Sequence, residues 1–122
     1  MQIRTLHDLF LHELQQVHRS EKTFLNALPK LATKAGKLAV DLATAALSRV
    51  QRLEQIFKII DQVPRAGTCR AMESILAEAD CLDGSDTEAQ ALANAAAVET
   101  GRRYLMARYT WLMESANRLG FA

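Results

Sequence analysis

The sequence predicts an all-α protein: an antiparallel helical bundle of three long helices and one short crossover helix, in a single domain over residues 1–122. Three observations predict it. Apolar residues recur at steps of three and four over long stretches, which traces one face of a helix. No segment sustains the period-two alternation of a strand. The connections between the helical stretches are short, which favours antiparallel neighbours. With 49% apolar and 24% charged residues, five glycines and two prolines, the composition is that of a globular chain.

The first helix is expected over residues 5–34. Thr5 suits the N-cap and Asp8 the first turn, Lys30 and Lys34 suit the last turns, and Gly36 suits the C-cap. Its stripe is Leu6, Phe10, Leu14, Val17, Phe24, Leu28 and Leu31. Pro29 removes one backbone donor and predicts a kink or break. The second helix is expected over residues 37–62, with Ala39, Leu42, Ala46, Val50, Leu53, Phe57 and Ile60 as its stripe. Arg49, Arg52 and Lys58 fall on the opposite face, and Gln62-Val63-Pro64 ends it. A short third helix spans residues 69–82, with Met72, Ile75, Leu76 and Ala79 on one side and Asp83-Gly84 after it. The fourth opens at Ser85, whose spacing to Glu88 is that of a capping box, and runs to Leu119. Gly101 interrupts it at a cost of about 1 kcal/mol relative to alanine.

A formal net charge of +1 points to no polyanionic partner. Arg102, Arg103 and Arg108 form a loose basic cluster without a matching aromatic groove, so no nucleic-acid binding is expected. No apolar run approaches a membrane span, and the N-terminus lacks the order of a signal peptide, so a cytoplasmic location is expected. Cys69 and Cys81, if they share a helix, lie about 18 Å apart along it, too far for a disulfide. Neither has a Cys or His three or four residues away, so both read as small apolar thiols. His7, His12 and His18 step by five and six onto different faces and read as surface or boundary residues. Tyr104, Tyr109 and Trp111 read as packing residues. No nucleophile with a base and no glycine-rich phosphate loop appears, so no catalytic residue is assigned.

One residue stands out. Between Val17 and Phe24 the first stripe passes through Glu21. The segments "TLHDLFLHELQQVHRSEKTFLNALPKLA", "RVQRLEQIF", "TCRAMESILAEA" and "RYLMARYTWLMESANRLG" closely resemble the YciE/YciF family of bacterial stress-associated ferritin-like proteins. The resemblance implies a ferritin-like bundle with a short extra helix in the crossover. It also implies a two-metal carboxylate site in the core, which takes glutamates and Glu-x-x-His motifs from facing helices. Glu21 matches the family's first-helix ligand. The other ligand positions do not match: Thr44 and Leu47 stand where the family's second helix carries Glu-x-x-His, and Arg102 and Arg103 stand where its long later helix carries acid and histidine. The family also continues beyond the Leu119-Gly120 ending into a further helix with the last ligands.

These departures imply a lost metal site, with no cofactor expected. A carboxylate in an apolar core must then pair or become neutral. The fourth-helix stripe Leu92, Ala95, Glu99, Arg102, Met106, Tyr109, Met113 and Ala116 turns Arg102 inward, so the expectation is a buried Glu21–Arg102 ion pair, or one with Arg103 in its place. Two alternatives stay open. Glu21 sits at the stripe edge and reaches water, or Glu21, Glu99 and His18 still hold iron or manganese in a di-metal oxidase or ferroxidase. Three long helices leave one wall of a four-helix core open. A second copy of the chain is the expected cover, ahead of a helix from another protein or the short helix swinging in. The expected role is structural or oligomer-forming, and stress-linked by analogy.

Overall fold

The structure, a computed structural model, describes residues 2–31, 37–81 and 87–121. The regular elements among these are all helical: α1 (Leu6–Leu31), α2 (Lys37–Ile59), α3 (Arg70–Ala77), which continues as a 3-10 turn (Glu78–Cys81), and α4 (Thr87–Arg118). The expected caps at Lys34 to Gly36, the Asp83-Gly84 stop and the Ser85 capping box lie outside the described residues, as do the side chains of Ala39 and Cys81.

Local chemistry sets the ends that are described. Thr5 Oγ1 accepts the Asp8 N–H at 3.0 Å, and the Asp8 carboxylate accepts the Arg4 N–H at 3.2 Å. α1 runs through Pro29 without a break. α2 stops three residues short of the expected Gln62. Asp61 turns left-handed (φ 57°), and Gln62 donates back to the Phe57 carbonyl at 2.8 Å, closing a Schellman motif. α4 ends the same way, with Gly120 at φ 81° and the Phe121 N–H on the Ala116 carbonyl. Phe121 then folds edge-on against Phe10, with ring centroids 5.3 Å apart.

α1 lies between α2 and α4 and packs on both. Side-chain pairs give the directions. His18 meets Glu54 and Glu21 meets Arg49, while Phe10 meets Phe121 and Phe24 approaches Gly101. Both series run in opposite senses, so α2 and α4 are each antiparallel to α1. α3 packs on α1 and α4, not as a wall between α2 and α4. The loop before it is tied along α1. Gln15 donates to Val63 O and accepts from Arg65 N, Arg19 donates to Ala66 O, and Thr23 Oγ1 accepts from Cys69 N.

The α1 stripe is buried from Phe10 to Leu31, with Leu6 half-buried, and it divides the interior in two. Phe10, Leu14 and Val17 join Leu53, Phe57 and Leu112 in one core. Phe24, Leu28 and Leu31 join Ala46, Met72, Leu76, Ala97 and Leu105 in the other. Between Val17 and Phe24 the buried residues are His18, Ser20 and Glu21, a polar layer at mid-bundle. Tyr109 packs against both cores across it.

Candidate functional site

The polar layer is centred on Glu21, whose side chain has no solvent exposure. That overturns the reading in which it reaches water. Its carboxylate is fully engaged. Arg49 of α2 donates through Nε to Oε2 at 2.5 Å and through Nη2 to Oε1 at 3.3 Å, a side-on bidentate pair. The Tyr109 hydroxyl of α4 donates to Oε2 at 2.5 Å. Burial, and then the hydrogen bond to Glu21, push the Tyr109 phenol far above its ordinary range, so it stays a donor. Burial alone would lower the Arg49 pKa, but the bond to Glu21 outweighs it and the guanidinium is held above its usual value.

The expected partner was a different arginine. Arg102 is 51% exposed and bonds to Glu99, three residues back on its own helix, and Arg103 bonds to Glu99 as well. The reason is rotation of α4. Its buried row is Ala97, Gly101, Leu105, Leu112 and Ser115, so the Leu92–Ala116 row that turns Arg102 inward lies mostly outside. Gly101 marks the close approach: a Cβ there would stand 3.2 Å from Met72 Sδ and from two atoms of the Phe24 ring. Thr44 and Leu47 are also exposed rather than interior. The interior positions of α2 at this level are Ala46 and Arg49, two residues further on. The α2 stripe sets Arg49 on the opposite face, and in the structure its Cα flanks the core position Val50. Its long stem brings the charged head inward. Counting could have found it, since an antiparallel hairpin turning near Gly36 sets residue 21 opposite residues 49–51.

His18, one turn before Glu21, is buried rather than at the boundary. Its Nε2 lies 3.4 Å from Glu54 Oε2 and its ring packs edge-on to Phe57, while Nδ1 is buried without a protein partner. Burial pulls its pKa below the ordinary value, and Glu54 only partly offsets this. His7 is exposed and His12 half-buried, as expected. Trp111, expected to pack, is 65% exposed. Tyr104 is half-buried and its hydroxyl lies 3.5 Å from the buried Cys69 thiol. Burial raises the Cys69 pKa, but hydrogen bonds from Ser20, Tyr104 and the first backbone amides of α3 outweigh it and leave the thiol below its usual value. Arg108 supports Tyr104 from the far side, donating to its hydroxyl at 2.9 Å while paired to Glu13.

Glu21, Glu99 and His18 are not gathered into one site. Glu99 is 46% exposed and held by its two arginines on the outer side of α4, whereas Glu21 and His18 lie inside. Among the described residues, no three of His, Cys, Asp and Glu converge to hold a metal ion. The groups that face Glu21 are hydrogen-bond donors, a guanidinium and a phenol, rather than the acceptors a dication requires. The described residues around Glu21 therefore do not fit the two-metal site that the resemblance implies.

No helix among the described residues is long and apolar enough to cross a membrane. Compared with known proteins, the chain is similar to Protein YciF of Escherichia coli (strain K12), 26% identical over 129 residues, covering 99% of this chain and 78% of that protein. Residues 5–122 match the family described as Domain of unknown function (DUF892). With the match extending over nearly its whole length, the chain belongs to the DUF892 family and is a relative of YciF.

Proposed function

We propose that this chain is a non-enzymatic, self-associating helical protein of ferritin-like ancestry, in which a guanidinium has taken the interior place of a metal centre. The observation that carries the reading is the occupancy of Glu21. Both of its oxygens accept from Arg49, and one also accepts from Tyr109. A dication at this position would have to displace both donors and sit beside a permanent positive charge. Arg49, Glu21 and Tyr109 instead link α2, α1 and α4 at one level, which is a structural use of a buried ion pair.

Self-association is supported by the large apolar side chains left on α2 and α4. Val40, Ile59, Leu92, Met106 and Met113 are each at least 60% exposed. A cytoplasmic, stress-linked setting accompanies the reading by family analogy alone. Elemental mass spectrometry tests it, on untagged protein produced in iron- and manganese-supplemented medium. Metal well below one equivalent per chain is expected. One or two equivalents of iron or manganese would overturn the reading and restore a di-metal carboxylate oxidase with Glu21 as a ligand.

A further inference from the structure

α3 and the 3-10 turn that continues it run alongside α1 in the same direction. Thr23 of α1 meets the start of α3, where its Oγ1 accepts the Cys69 N–H, and Lys30 meets the far end, where its Nζ lies 3.1 Å from Asp80 Oδ1. Between these two ties the helices leave an open groove of about 240 Å³. Its apolar lining is Ala27, Leu31, Leu76 and Ala77, and the two alanines offer only methyl groups to fill it. Two acids also line it: Glu73, whose N–H bonds back to the Cys69 carbonyl, and Asp80. They are seven residues apart, two turns or about 10 Å along the helix.

Two acids with an alkyl surface between them complement a linear chain that carries positive charge at each end. The groove already holds one half of such a ligand. Lys30 lines it, and its ammonium meets Asp80. That pair is 75% and 57% exposed, so it contributes little and yields to a competing ammonium. At the other end Thr68 Oγ1 donates to Glu73 Oε1 and holds the carboxylate in place. The separation of the acids suits the terminal nitrogens of spermidine and exceeds the reach of putrescine. The groove is open along one side, so a middle ammonium stays in water while the methylenes lie against the apolar lining. The chain as a whole has a formal net charge of +1 and no general attraction for a polycation, so binding has to come from these local acids.

We infer that the α1–α3 groove is a binding site for a free linear polyamine of spermidine length. Glu73 and Asp80 anchor its two ends, and Lys30 competes with it for Asp80. The inference stands apart from the Glu21 layer and from self-association.

Amide NMR titration of the full chain with spermidine at low ionic strength tests it. Saturable shifts confined to residues 23–31 and 73–80 are expected, with a Kd of about 1 mM or tighter. Lys30→Met keeps an apolar stem in the groove, frees Asp80 and is expected to tighten binding about fivefold. Glu73→Gln and Asp80→Asn each weaken it about fivefold, by loss of an exposed ion pair, and putrescine binds the parent more weakly by a similar factor. Ala77→Leu fills the groove without changing a charge and removes saturable binding. Glu78→Gln, on the same segment outside the groove, leaves it unchanged. These side chains are exposed, and thermal unfolding confirms that each variant folds. Absence of saturable shifts even in Lys30→Met overturns the site. Loss in Glu78→Gln equal to that in Glu73→Gln, or parent-like binding by Ala77→Leu, shows diffuse attraction to an acidic surface and overturns the groove. Putrescine binding as tightly as spermidine overturns anchoring at two ends.

Discussion

Glu21 on α1 and Glu99 on α4 each interrupt a row of apolar side chains, yet Glu21 has no exposure and Glu99 is 46% exposed. The difference comes from how many neighbours each helix has. α1 is packed by α2, α3 and α4, so its apolar row is covered along its length and the acid within it is covered too. α4 is covered on the side facing α1 and α3, while Leu92, Met106 and Met113 stay in water and Glu99 is nearly half exposed. An acid in a covered row must be given donors from other helices, and Glu21 receives them from Arg49 and Tyr109. An acid in an open row needs only its own helix, and Glu99 takes Arg102 and Arg103 from the next turn. The first arrangement ties three helices together, whereas the second does nothing for tertiary structure until another surface arrives.

Removing the cation from the covered site is the largest test of this contrast. Arg49→Met leaves a buried carboxylate with only the tyrosine hydroxyl to hold it. Breaking one half of a buried pair costs about 3–5 kcal/mol, and the low end applies because the Arg49 side chain is 34% exposed and water can approach. A loss of about 3 kcal/mol is a large part of the ~5–15 kcal/mol that holds a domain of this size. Urea unfolding measures it. The double variant Glu21→Met/Arg49→Met is expected to recover most of that loss, because apolar replacements of a buried pair are close to neutral. If Arg49→Met unfolds with the parent midpoint, Glu21 has a route to solvent and the contrast with Glu99 collapses.

The α1 row was readable from sequence because one period accounts for all its large residues and every member is buried or half-buried. The acid inside it was readable for the same reason. Its partner was not, since Arg49 lies one residue before the core position Val50, and a Cα-based wheel cannot show where a long side chain ends. α4 misled differently. Its outer row holds the larger residues Leu92, Met106 and Met113, while its buried row contains Ala97, Gly101 and Ser115. Size favoured the wrong row. Small residues lie where helices approach closely, and only the packing of α1 against α4 reveals which row that is. Thr44 and Leu47 are exposed, and the positions of α2 that face Glu21's level, Ala46 and Arg49, lie two residues on, which on a helix is a turn of about 200°.

Gly101 allows the buried row of α4 to be probed separately. Gly101→Ala gains about 1 kcal/mol of helix propensity. Against this, the new methyl group meets Met72 Sδ and the Phe24 ring at 3.2 Å. The thioether can move, but Phe24 is only 1% exposed and packed in the core. Overpacking of this kind costs about 1–3 kcal/mol, so a net loss of about 1 kcal/mol is expected in urea unfolding. A gain in stability would mean that the two helices have slack at this level, and that the buried row is held less tightly than the distances indicate.

His18 supplies the smallest and most specific test, because it shares the covered face with Glu21 and lacks Glu21's full set of partners. Glu54 of α2 meets its Nε2 at 3.4 Å, Arg19 and Lys22 are the nearby cations on its own helix, and Phe57 packs against the ring. Nδ1 has no protein partner. Protonation would place a second N–H on that buried atom, and the cost of doing so holds the pKa below 6.5. The native state therefore binds fewer protons than the unfolded chain just below pH 6.5. Stability is fully present above that value and falls as the pH drops toward the native pKa of His18, with a slope from this group of at most about 1.4 kcal/mol per pH unit. Unfolding free energies compared between the parent and His18→Gln, from about pH 8 to about pH 5, isolate the contribution. The variant is expected to lose less stability than the parent over that interval. Identical slopes would assign the acid sensitivity to the carboxylates, and His18 would then have access to water or a proton acceptor at Nδ1, making the covered face of α1 wetter at His18 than at Glu21.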